Sequence, residues 1–140
     1  MKDLIVMPTA PGKTPPTAPQ AIGWTLTALV GAFLAFDASI KLLVIRPVVD
    51  AFDQIGFPIS LARGLGALEV VILVLYLTPR TAVLGAVLLT GLLGGAVASH
   101  LRLLDPLFSH ILFGVYVAVL AWGGLYLRDE GLRRLLPLRS

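Results

Sequence analysis

Hydrophobic residues in this chain come in long unbroken runs, without the alternation of a half-buried strand. Four runs stand out, about 22–45, 61–78, 81–101 and 107–127, and Pro47, Pro58, Pro79 and Pro106 punctuate the gaps between them. The third is the cleanest. No charge or histidine lies between Arg80 and His100, and those residues rise through about 28 Å, enough for the hydrocarbon core of a bilayer. The second run is short and must tilt little or thin the membrane locally. A spanning barrel would need more strands than this length allows. The pattern predicts an all-α integral membrane protein, a four-helix bundle.

The connection RPVVDAFDQIGFPIS is the only one long enough for structure of its own. Val48, Val49, Phe52 and Ile55 recur at roughly helical spacing, with Asp50 and Asp53 between them, and Gly56 and Pro58 follow. This predicts an interfacial helix over one mouth of the bundle. The first twenty residues hold five prolines, and their longest apolar run, Leu4 to Met7, is too short for a signal peptide. The expected organisation is a proline-rich disordered tail over 1–20, a membrane domain over 21–128 and a basic tail over 129–140. That last segment reads either as lying on the membrane surface or as a solvated helix end.

Composition sharpens this picture. The chain is 140 residues, 57% apolar and 14% charged, against roughly 45–50% and 25% in soluble domains. Its mean hydropathy is +0.92. The absence of cysteine excludes thiol catalysis, Cys-ligated zinc and iron–sulfur clusters. The net charge of +3 does not point to nucleic acid, because the basic residues are dispersed among apolar spans. It points to topology. An even number of spans puts both termini on one side, with Lys2, Lys13, Arg80, Arg128, Arg133, Arg134 and Arg139. The other side has Arg46, Arg63 and Arg102, plus Lys41 if it lies outside the hydrocarbon, so the termini are expected in the cytoplasm. Trp24, Tyr76, Trp122 and Tyr126 fall near the same interface, as an aromatic belt would.

Ionisable residues within a span cost about 2.5–3.5 kcal/mol each on the insertion scale, so each needs a reason. Asp37 and Lys41 stand four apart in the first span, in the favourable order for a same-face pair. They either neutralise one another, or Lys41 snorkels to the interface, or the pair takes part in chemistry. Glu69 has no cation at i±3 or i±4 on its own helix, and shares a face with Gly66 and Tyr76. It therefore takes a basic partner from another helix or stays protonated by desolvation. His100 and His110 close the third span and open the fourth. All five residues fall in the outer half of the bundle and none in the cytoplasmic half, which predicts a polar pocket opening outward. No HxxxH or ExxH spacing supports a metal site. Gly91, Gly95 and Ser99, with Gly94 adjacent, are expected to let helices pack closely within the bundle.

The stretch LGALEVVILVLYLTPRTAVLGAVLLTGLLGGAVASHLR, then AWGGLYLRDEGLRRLLPLR, resembles the DoxX-like family of small bacterial membrane proteins. FDASIKL and IGFP fit the family's pattern in the first span and the loop after it, so the resemblance covers about residues 22–139. It implies a four-helix membrane bundle in the bacterial inner membrane. Carried onto this chain, the family's characteristic positions are Lys41, Gly56, Glu69, Pro79, Arg80, Gly94, Gly95, His100 and Arg102. Relatives include the membrane subunit of a thiosulfate:quinone oxidoreductase, so the resemblance implies a quinone-linked or redox-associated component, with quinone as the ligand and a redox partner subunit. Glu69, Lys41 and His100 would then be the catalytic residues and Arg102 would bind the ligand; Asp37, His110 and Tyr76 join as ligand-binding candidates on their place in the spans, not on the resemblance. The alternative is a non-enzymatic small-ligand-binding or assembly factor for other membrane proteins. A proton-coupled transporter lacks its usual signs here, since there are no inverted repeats or broken helices, although an oligomer could supply a pathway.

Overall fold

The computed structural model describes residues 15–136, and no strand occurs among them. The helices are α1 (Ala18–Leu43), α2 (Arg46–Ile55), α3 (Leu61–Leu77), α4 (Ala82–Arg102), α5 (Phe113–Arg128) and α6 (Glu130–Leu135). A π-helical turn, Leu107–Ile111, leads into α5. Ala18–Leu43, Ala82–Arg102 and Leu107–Arg128 are each long and apolar enough to cross a membrane. α3 has 17 residues, about 25 Å by rise, at the lower limit for a span. It completes the bundle by packing between α1 and α4.

The four long helices form a closed ring. α1 packs on α3 and α5, and α4 packs on the same two. Neighbours run antiparallel: Gly31 of α1 faces Leu73 and Leu77 of α3, while Gly66 of α3 faces Ala38 and Leu42 of α1. Leu34, Ile72, Tyr76, Leu89 and Leu125 fill the centre, each almost fully buried. Leu29, Phe36, Val71, Val74, Val87 and Val119 point outward and are well exposed. An apolar exterior of this kind suits lipid, where burial of oil against oil is not required.

Two close approaches set the helix spacing. A Cβ on Gly23 would stand 2.8 Å from the Gly124 carbonyl oxygen, so α1 and α5 meet backbone to backbone. One on Gly66 would stand 3.0 Å from the Ala38 carbonyl oxygen and 3.1 Å from Lys41 Cβ. That second approach brings the polar residues of α1 and α3 within reach of one another.

Three helices end in the same way at one end of the bundle. After α1, Val44 adopts φ 53°, its N–H bonds the Lys41 carbonyl, and the Ile45 N–H bonds the Ile40 carbonyl. After α2, Gly56 adopts φ 74° with the corresponding bonds to Asp53 and Phe52. After α4, Leu104 adopts φ 57°, with Leu104 N–H on Leu101 and Asp105 N–H on His100. Each is a Schellman closure, which returns two stranded carbonyls to hydrogen bonding. Only one of the three uses glycine.

Several boundaries differ from expectation. α1 stops two residues before Ile45 because Val44 turns left-handed, and α2 starts at Arg46, ahead of Val48. The fourth run is not one uniform helix, because His110 sits in the π-helical turn before α5. Residues 1–14 of the proline-rich tail and 137–140 of the basic tail lie outside the described residues. Within the tails, Ala18–Gln20 already belong to α1. In α6, capped by Asp129 Oδ1 accepting the Leu132 N–H, Leu132 packs against the bundle core. Tyr76 is completely buried and so is no part of an aromatic belt, whereas Trp24 is 48% exposed. Trp122 is tied down by its indole N–H donating to Thr90 Oγ1 at 2.9 Å.

Candidate functional site

A cavity of about 710 Å³ occupies the end of the bundle where α1, α2 and α4 terminate. Asp37, Lys41, Glu69, His100 and His110 all line it, together with Phe33, Phe52, Phe113 and several aliphatic side chains. Five polar residues drawn from three helices and a turn thus share one space with an apolar lining. α2 contributes Ala51, Phe52, Gln54 and Ile55 to the lining. It is held down through Val48 and Phe52, which pack on Ala62.

The expectation for the small residues of α4 is corrected. Gly91 and Gly95 have no atom within 4 Å of where a Cβ would stand, and with Ser99 they line the cavity. Their spacing does not serve a helix contact. It leaves a wall without side chains, and that missing volume is part of the cavity.

On α1 and α3 the polar groups form a triad. Lys41 Nζ donates to Asp37 Oδ2 and to Glu69 Oε1, both at 2.5 Å. Asp37 reaches Lys41 because the two are one turn apart, and Glu69 reaches it because Gly66, one turn earlier on α3, lets the helices touch. Glu69 is 3% exposed, and its Oε2 has no hydrogen-bond partner among the described residues. One ammonium between two carboxylates leaves a formal charge of −1. In surroundings this dry, such an excess is expensive unless a proton, a cation or a hydrogen-bond donor meets it.

α4 and the π-helical turn carry the histidines. His100 Nδ1 lies 2.6 Å from Asp105 Oδ2, and the His100 and His110 rings meet edge to face with centroids 5.7 Å apart. His110 Nδ1 is 2.8 Å from Ser109 Oγ. Asp105 was not among the expected site residues. It stands just before Pro106, as a turn residue would, and only the left-handed Leu104 folds it back onto the last turn of α4. An acidic residue five positions after a histidine, at a helix end marked by proline, is the signal that could have found it.

Two expected ligand-binding residues are outside the cavity lining. Arg102 donates from Nη2 to the Ile55 carbonyl at 2.6 Å, so it fastens the last turn of α2. Tyr76 lies on the face of Glu69 but toward the opposite end of the bundle. Its hydroxyl donates to the Ala121 carbonyl at 2.9 Å, a bond across the ring from α3 to α5. Beside it, Arg128 Nη2 donates to the Tyr76 carbonyl at 2.9 Å, and the guanidinium lies 4.4 Å from the Trp24 ring centroid. Read from sequence as a flanking cation, Arg128 instead satisfies the end of α3 and joins three helices.

A family model described as the DoxX-like family matches residues 25–124. The match takes in every polar residue of the cavity and stops before Arg128 and the basic tail, which the resemblance had extended to include. No curated protein and no solved structure matches the chain. With more than half of its length matched and its helices arranged as a membrane bundle, the chain belongs to the DoxX-like family of multi-pass membrane proteins.

Proposed function

We propose that this chain binds a small lipophile with a polar head, of the quinone class, in the cavity beneath α2. In this reading it is the membrane-embedded component of a redox reaction. Electrons would come from a partner subunit or a bound cofactor, since the side chains in the cavity hold no redox centre of their own. The observation that carries the reading is Glu69, a carboxylate 3% exposed with one oxygen unpartnered among the described residues, in the wall of a cavity otherwise lined mainly by apolar groups. A cavity of about 710 Å³ falls within the range of roughly 300–1,000 Å³ usual for small-ligand sites. Phe33, Phe52 and Phe113 suit a ring, and Lys41, Glu69 and His100 suit the oxygens it carries.

The proposed location is a bacterial inner membrane with both termini in the cytoplasm and the cavity in the outer half. The excess of Lys and Arg at the terminal end supports this. The second reading, a non-enzymatic ligand-binding or assembly factor, is favoured by Gly94 of α4, where nothing lies within 4 Å and a partner's helix could approach closely. The two readings separate in a binding assay with decylubiquinone on purified protein. The quinone reading expects saturable binding that Glu69→Gln weakens at least about tenfold, about 1.4 kcal/mol. No binding by wild type, with a stoichiometric protein partner recovered from membranes, supports the assembly factor instead.

A further inference from the structure

Asp105 does not line the cavity, yet it decides what His100 offers to it. The two are joined through side chains, Nδ1 to Oδ2 at 2.6 Å, and through the main chain, Asp105 N–H to the His100 carbonyl at 3.2 Å. An ionised carboxylate only accepts, so Nδ1 carries the hydrogen, and in the neutral ring Nε2 is left as an acceptor. The bond to Asp105 is the sole hydrogen bond of the His100 ring among the described residues. His110, edge-on at 5.7 Å between centroids, has its own Nδ1 engaged by Ser109. The charged groups that line the same cavity as His100 are Asp37, Lys41 and Glu69.

An acceptor without a donor in the cavity wall asks for a ligand that brings a hydrogen. We propose that the site selects the reduced, hydroxyl-bearing form of its ligand, a hydroquinone-class lipophile, over the oxidised carbonyl form. Asp105 is the positioning residue that sets this preference by holding His100 with Nε2 as acceptor. The proposal rests on the reading of the cavity as a quinone-class site. A hydroquinone brings O–H donors, one of which meets Nε2. The oxidised form has acceptors only and leaves Nε2 unpaired, which costs more than simply failing to gain a bond.

The test uses the purified full chain in mild detergent at mildly alkaline pH, as wild type, Asp105→Asn and Asp105→Glu. Nitrogen-15 NMR of labelled histidine reads the His100 tautomer, and titration with decylubiquinol and with decylubiquinone reads the preference. Wild type is expected to carry its hydrogen on Nδ1 and to bind decylubiquinol at least about tenfold more tightly, about 1.4 kcal/mol. Asp105→Asn can donate to Nδ1 and move the hydrogen to Nε2, so the preference is lost or inverted. Asp105→Glu keeps the carboxylate and the preference, which separates a lost tautomer from a lost fold. Equal binding of both forms by wild type, or an unchanged preference in Asp105→Asn, overturns the proposal while the quinone-class site stands. Binding of neither form by wild type overturns the site itself, and the proposal with it.

Discussion

Lys41 is the residue on which the triad turns, because among the described residues it is the one cation shared by Asp37 and Glu69. Removing it leaves two carboxylates unpaired, one of them 3% exposed. Lys41→Met is therefore expected to lower stability by about 3–5 kcal/mol, the usual cost of breaking a buried pair from one side. The double change Lys41→Met with Glu69→Leu should recover most of that loss in detergent unfolding. Tyr76→Phe makes the opposite point. It removes the hydroxyl that bonds Ala121, at about 1 kcal/mol, and should leave ligand affinity untouched. The five cavity residues were legible in the sequence because an ionisable group inside an apolar run has no cheap place to go. Asp105 and Arg128 were not. Each sits beside a helix end, where charge is ordinary, and only the folded turn shows what each one touches.

At the scale of elements, the helix ends around the cavity were the least legible feature. Val44 and Leu104 both adopt left-handed backbone, a conformation that sequence reading assigns to glycine or asparagine. Nothing in a valine or a leucine announces it, so the apolar run overstates α1 and the chain hides the role of Asp105. Gly56, by contrast, announces its left-handed turn and ends α2. Leu104 is 86% exposed and gives up little packing when replaced. Leu104→Gly should thus raise stability by about 0.5–1 kcal/mol, the left-handed cost less the added chain entropy of glycine. A fall in the unfolding midpoint would show that the leucine side chain stabilises the turn. Arg102→Ala removes the bond to the Ile55 carbonyl. A spin label on α2 should then report greater mobility, and bound ligand should leave several-fold faster.

The whole molecule is a ring of four antiparallel helices with a filled centre toward one end and a cavity toward the other. Hydrophobic run length made the ring legible, and the depth of the five polar residues brought them to one end of it. The cavity's volume was not legible, because the stripe Gly91, Gly95, Ser99 reads equally as a packing seam or as missing wall. The chain has no cysteine, so single cysteines can be placed without background. On the proposed topology, with both termini in the cytoplasm, Ala51→Cys on α2 should react with an impermeant maleimide on intact cells, and Arg80→Cys only after permeabilisation. The most direct test of the ligand cavity is native mass spectrometry of the full chain taken from its membranes in mild detergent. Wild type should carry one small lipophile per chain, and Glu69→Gln should fly empty at the same fold stability. A wild type without any bound small molecule, identical in mass behaviour to Glu69→Gln, would contradict the account.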